Sequence, residues 1–149
     1  MTGRLASLLR GHHRIALDTS IFIYHLEDNP RYSELANEVF RWLERPGNAA
    51  STSTVTLTEL LVQPYRTMEQ PRVTAIRRFL TSVHNLEWIA PDLPLADLAA
   101  RIRAEYRLQT ADAIQAATAI HVGANLFVTN DRVFRKIPGF ESLLLDDLL

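Results

Sequence analysis

The stretch "RIALDTSIFIYHLE", residues 14–27, sets a short apolar run against one acid and then a second apolar run. Residues 14–17 read as a buried β-strand, and the residues after Asp18 read as a helix beginning near Ser20. Asp18 therefore lies on a strand-to-helix junction. A carboxylate at the edge of an apolar run costs several kcal/mol if it is buried without a partner, so the junction calls for a compensating group.

The pattern repeats along the chain. Residues 31–43 place Tyr32, Leu35, Ala36, Val39, Phe40 and Leu43 on one helical face, and Pro46 and Gly47 end it. "NAASTST" at 48–54 has the composition of a linker, but between a helix stop and a new apolar helix it reads as a short buried strand. "TLTELLVQPYR" begins a helix that Pro64 is expected to bend or break. Val73, Ile76, Phe79, Leu80 and Val83 mark another helix, and "NLEWIA" at 85–90 another strand. Leu95, Leu98, Ala99, Ile102 and Tyr106 share a further helical face. "TADAIQAATAIHVG" is helical with Gly123 as its C-cap, and "LFVT" and "SLLLD" supply two final strands. Strands that alternate with helices imply a mainly parallel sheet of about five strands covered on both faces. The expectation is one three-layer α/β domain over residues 1–149, with residues 1–13 as an extension before the first strand.

Composition narrows the function classes. The chain has 149 residues, a net charge of −1 and a pI of about 6.5, so it lacks the basic footprint of a protein that coats duplex DNA. It has no cysteine, which excludes disulfides, thiol catalysis and Cys-rich zinc sites. The apolar run Leu5 to Leu9 is too short for the core of a signal peptide. The longest uncharged run, Ala113 to Asn130, is interrupted by Gln115, His121, Gly123 and Asn125 and reads as helix, turn and strand, with no membrane span. These features set the expectation of a cytoplasmic protein.

Four acids occupy related places in this pattern. Asp18 ends the first strand, Glu59 falls in the first turn of the helix after the second strand, Asp112 opens the alanine-rich helix, and Asp131 follows "FVT". In open parallel sheets, ligands bind beyond the carboxyl ends of the strands. Each acid also admits a plainer role. Thr56 to Glu59 matches a capping box, Asp112 suits the dipole of a first helical turn, Asp18 suits an N-cap, and Asn130-Asp131 suits a turn. Both sets of roles stand open on local pattern alone.

With their neighbours, the acids form an ordered set. "ALDTSIFIYHLE", "TVTLTELL", "LQTADAIQAATAI" and "LFVTNDRVF", in this order, resemble the signature blocks of the PIN domain family, and within it the VapC-type ribonuclease toxins of prokaryotic toxin–antitoxin pairs. The resemblance runs from about Arg14 to Leu145 and implies a three-layer α/β/α PIN-like fold. It implies that Asp18, Glu59, Asp112 and Asp131 are catalytic and bind a divalent metal, magnesium or manganese, with Ser20 and Thr129 supporting the site. It also implies a homodimer held inactive by a cognate antitoxin whose C-terminal segment lies along the cleft. The extension at residues 1–13 and the near absence of lysine depart from the family pattern without touching the acids.

Physical chemistry points the same way. Four converging carboxylates repel one another unless a cation neutralises them, and oxygen ligands without Cys or His select a hard cation. His12 and His13 are poor candidates for ligands, because adjacent side chains rarely converge on one ion. A bound metal lowers the pKa of water and stabilises charge on a leaving oxygen, which suits phosphodiester hydrolysis. Arg occurs 15 times and Lys once, and guanidinium groups clamp phosphates. Arg132, Arg135 and Lys136 follow Asp131 and are candidates to line an RNA path, with a solvated surface as the alternative. Trp42 and Trp88 sit among apolar positions and read as core or interface residues. The expected activity is metal-dependent cleavage of single-stranded or structured RNA. The alternatives are a noncatalytic PIN-like module that binds RNA or protein, and a housekeeping RNA-processing nuclease. An aspartate-nucleophile phosphatase needs a second acid where this chain has Ser20, and a nucleotide-binding Rossmann enzyme needs a glycine fingerprint that the isolated glycines do not form.

Overall fold

The structure, a computed structural model, describes residues 2–149. Helix α1 (Thr2–Leu9) precedes strand β1 (Arg14–Leu17), and α2 (Thr19–Leu26) and α3 (Ser33–Leu43) lead to β2 (Ala49–Ser53). Next, α4 (Val55–Arg66) and α5 (Gln70–Ser82) lead to β3 (Leu86–Ile89), and α6 (Leu93–Tyr106) and α7 (Thr110–His121) lead to β4 (Leu126–Thr129). A 3₁₀ turn at Arg132–Lys136, strand β5 (Glu141–Leu144) and a second 3₁₀ turn at Leu145–Leu148 complete it. No helix among the described residues is long and apolar enough to cross a membrane.

The five strands form one sheet in the order β3-β2-β1-β4-β5, and every pairing is parallel. Expected as mainly parallel, the sheet is wholly so. In β1, Ile15 is held between Ala50 of β2 and Leu126 of β4. The chain winds outward from β1 to β3, then returns to place β4 on the other side of β1. The carboxyl ends of β1 and β4 therefore flank the point where the winding reverses, which is where open α/β sheets leave a crevice.

Alternation along the strands assigns the two faces. Ile15 and Leu17 of β1 and Leu126 and Val128 of β4 join a core formed with α1 to α5. Ala16 and Phe127 point the other way, into a core formed with α6, α7 and Phe134. Ala113, Ala116, Ala117 and Ala119 are buried along α7, and their small side chains let that helix lie close to the sheet and to Ala99 of α6. Beyond α7, Gly123 takes a left-handed φ of +70° just after the C-cap Val122, and the Ala124 N–H returns to the Ala119 carbonyl at 3.1 Å.

Three local expectations change. Pro64 does not break α4, which continues through it to Arg66 at the loss of one i→i−4 donor. The same helix starts at Val55, so Glu59 sits in its second turn. The segment before β1 is a docked helix: Leu5 and Leu9, four residues apart, fall on one face and are fully buried where α1 meets α3.

Leu9→Ala is expected to lower stability by about 2–5 kcal/mol, the usual cost of emptying a buried leucine site. Leu8→Ala, at a position 42% exposed, should change it by less than about 0.5 kcal/mol. Urea unfolding of both variants checks the contrast, and equally small effects would show that α1 contributes nothing to the core.

Candidate functional site

The first side chain at the crevice is Asp18. It leaves β1 in an extended conformation and caps α2, with Oδ1 accepting from the Ser20 N–H at 2.7 Å and from the Ser20 hydroxyl. Its Oδ2 accepts from the Thr129 hydroxyl at the end of β4. The carboxylate that caps α2 thus also lines the crevice. Thr129 Oγ1 in turn accepts from the Asp131 N–H at 3.1 Å, while Asp131 Oδ1 caps the following 3₁₀ turn through the Val133 N–H at 3.0 Å.

Glu59 arrives from α4. Its capping box does not form, because Thr56 lies inside the helix and turns its hydroxyl to Thr52 and Gln115. Glu59 Oε1 instead accepts from the Thr19 hydroxyl at 2.5 Å. Asp112 occupies the first turn of α7. Asp18, Glu59, Asp112 and Asp131, drawn from four separate segments, line one cavity of about 320 Å³ together with Thr19, Ser20, Ile23 and Gln115.

No lining residue is basic, and the electrostatics reflect this. Burial pushes the Asp18 carboxyl up from 3.8 to about 6; hydrogen bonds from Ser20 and Thr129 oppose the rise, and repulsion from Asp112 adds to it. The Asp112 carboxyl is also raised, first by burial and then by repulsion from Asp131 and Glu59. Among the described residues, no three Asp, Glu, His or Cys side chains close tightly enough to enclose an ion by themselves. An open, all-oxygen, acidic cavity still fits a hydrated magnesium or manganese ion. Magnesium keeps several waters and takes only one or two carboxylates directly.

The structure leaves other candidates outside the cavity. Arg132 faces Asp146 at 3.9 Å, Arg135 pairs with Asp147, and Lys136 is exposed on the same 3₁₀ turn; none of the three lines the acidic cavity. His12 and His13 line a separate concavity with Arg10, Trp42 and Arg45. Trp42 is buried, and Trp88 packs against Phe22. Three site residues escape a reading by local pattern: Thr19, Thr56 and Gln115. Only Gln115 carries a signal, as a lone amide among alanines three residues after Asp112, on the same side of α7.

The PIN domain family model matches residues 15–139, a span that includes all four acids. Among solved structures, the chain is similar to the DNA-bound VapBC of Salmonella typhimurium, at 25% identity over 89% of this chain and 98% of that one, with a TM-score of 0.69. It is similar to a toxin–antitoxin complex from Klebsiella pneumoniae, at 25% identity over 88% of this chain and 97% of that one, with a TM-score of 0.62. It also shares its fold with VapC20 of Mycobacterium tuberculosis, a sarcin–ricin loop cleaving toxin, at 18% identity over 76% of this chain and 86% of that one, with a TM-score of 0.61. No curated protein matches the sequence significantly.

The raised Asp18 pKa fixes the sign of a pH effect. A carboxyl whose pKa rises on folding favours the fold fully below its unfolded value of 3.8, and that contribution is lost as pH climbs through about 6. A shift of this size corresponds to about 3 kcal/mol. In chelator, the stability of Asp18→Asn relative to the parent should therefore improve by up to about 3 kcal/mol between pH 4 and pH 7. Urea unfolding at both pH values measures it, and parallel curves would show that Asp18 is not buried as a charge.

Proposed function

The chain belongs to the PIN domain family, and from that premise we propose that it is a divalent-metal-dependent endoribonuclease, the toxin of a toxin–antitoxin pair. The observation that carries this reading is the convergence of four carboxylates from four segments on one cavity without a basic residue among them. An ordinary helix cap or surface turn gains nothing from such crowding, whereas a cation site requires it.

Asp18, Glu59, Asp112 and Asp131 would hold magnesium or manganese, which when bound supplies Lewis acidity and a water of lowered pKa. The protein's own contribution is placement. Ser20 and Thr129 occupy both oxygens of Asp18 and fix the plane of its carboxylate. Thr19 holds one oxygen of Glu59, and the other has no hydrogen bond among the described residues. Asp112 and Asp131, at the start of α7 and after β4, line the same cavity, and in the proposed function one of the carboxylates there accepts a proton from an attacking water. The crevice is open, so an extended single strand of RNA can lay a phosphodiester across it. Arg132 and Arg135 must exchange their carboxylate partners for phosphate if they are to hold that strand.

The toxin role is supported by likeness to toxin–antitoxin complexes. A second concavity adjoins the acidic one and shares Ile23 and Glu59 with it. Leu26, Leu60, Pro64 and Ile76 make it largely apolar, and Glu27 and Arg72 pair at 3.5 Å across it. In the proposed function this groove receives a segment of the cognate antitoxin, and the toxin acts as a homodimer.

The purified protein should cleave single-stranded RNA with magnesium or manganese and stop in excess chelator; undiminished cleavage without metal would overturn the mechanism. Asp112→Asn should abolish cleavage while leaving the metal-free fold as stable as the parent or up to about 1 kcal/mol more stable, as expected when crowding at a functional site is relieved. Thermal unfolding with chelator and with magnesium completes the test. The parent should gain more from the ion than the mutant does, and a mutant that cleaves normally and responds equally to magnesium removes Asp112 from the site.

A further inference from the structure

Gln115 is buried, 3% exposed, on an α7 face made mostly of alanine and completed by Thr118. Its Oε1 accepts from the Ser53 N–H at 3.4 Å, and its Nε2 lies 2.7 Å from Thr56 Oγ1 and 3.3 Å from Thr19 Oγ1. The Ser53 N–H can only donate, so the amide oxygen must face it and both amide protons must face the threonines.

Proton directions then follow from the far end of the network. The Leu17 carbonyl only accepts, so Thr52 gives it a proton, at 2.9 Å. Thr56 therefore donates to Thr52, at 2.8 Å, and must receive from Gln115. The second amide proton goes to Thr19. Thr19 has one proton to give and two acceptors in reach, Thr56 at 3.2 Å and the Glu59 carboxylate at 2.5 Å. The shorter, charge-assisted contact takes it. Every hydroxyl donates once: one branch from Gln115 runs through Thr56 and Thr52 to the Leu17 carbonyl, and the other runs through Thr19 to Glu59.

We propose that Gln115 is a positioning residue for Glu59: through Thr19, it aims the hydroxyl that pins Oε1 and so presents Oε2 to the acidic cavity. The inference rests on the metal-dependent nuclease reading and adds a determinant whose amide is committed to Ser53, Thr56 and Thr19 and so acts through Thr19. Outer-shell partners of this kind change metal affinity or activity by about 10- to 100-fold when removed.

The test measures manganese affinity by isothermal titration, and kcat and KM for a single-stranded RNA, in the parent, Gln115→Leu, Thr19→Val, the double variant and Thr19→Ser. Gln115→Leu should weaken manganese binding and lower kcat by about tenfold or more, with KM within about twofold of the parent, since the Gln115 amide is already engaged by Ser53, Thr56 and Thr19 and offers the RNA no free group. Thr19→Val should do the same, and Thr19→Ser, which keeps the hydroxyl, should restore both. In the Thr19→Val background the Gln115 effect should shrink to within about a factor of two, because the two act in series. Thermal melts certify that each variant is folded; if Gln115→Leu does not fold, Gln115→Met and the two Thr19 variants carry the comparison.

A folded Gln115 variant with the parent's affinity and kcat overturns the inference and leaves the nuclease reading intact. So does a loss that persists undiminished in the Thr19→Val background. A parent that binds no manganese and cleaves no RNA overturns the nuclease reading, and this inference with it.

Discussion

The burial of one carboxylate, Asp18, at the end of the central strand is the constraint to which the rest of the structure answers. Parallel neighbours on both sides of β1 remove water from its carboxyl end, and three hydrogen bonds from Ser20 and Thr129 replace only part of that solvation. Burial still outweighs them, as the direction of the Asp18 shift shows. The other acids crowd the same cavity without relieving it. The metal-free fold therefore holds an electrostatic debt at neutral pH that a cation is suited to cancel, and the topology places this tension at the reversal point of the sheet.

The polar character of β2 belongs to the same arrangement. Ser51, Thr52 and Ser53 are buried in a strand flanked on both sides, a place where aliphatic residues are the rule. Thr52 satisfies the last carbonyl of β1, and the Ser53 hydroxyl accepts from the first N–H of α4. No buried side-chain polar atom among the described residues lacks a partner. Serine and threonine thus knit the ends of β1, β2, α4 and α7 into a polar floor beneath the acids, with the apolar cores held to the two faces of the sheet.

Much of this is legible in the sequence, for identifiable reasons. The order of strands and helices follows from apolar spacing, and even the unpromising "NAASTST" falls into place because a strand is needed between two helices. The acids at strand ends follow from that order. Glu59 shows where local reasoning stops: its capping-box pattern is present in sequence, but the helix starts one residue before Thr56, and that start depends on the polar floor. Arg132 and Arg135 show a second limit. Their nearness to Asp131 in sequence suggests a role beside the cavity, yet their partners Asp146 and Asp147 come from a turn packed alongside only after β5 is in place. Docking of α1 rests on two leucines, too few to reveal a helical period.

The pairing of β1 with β4 also governs when the cavity can exist. Asp18 and Thr129 are 111 residues apart, and Asp131 lies just beyond. A chain emerging from the ribosome amino end first carries Asp18 and Glu59 long before the strand that seats Asp18 against Thr129 has been made, and Asp112 only shortly before it. Until then one wall of the cavity is missing. If the cavity cuts RNA as proposed, the delay keeps a nascent nuclease harmless to the message and the ribosome producing it, and leaves an interval in which a partner can meet the protein before its acids are assembled.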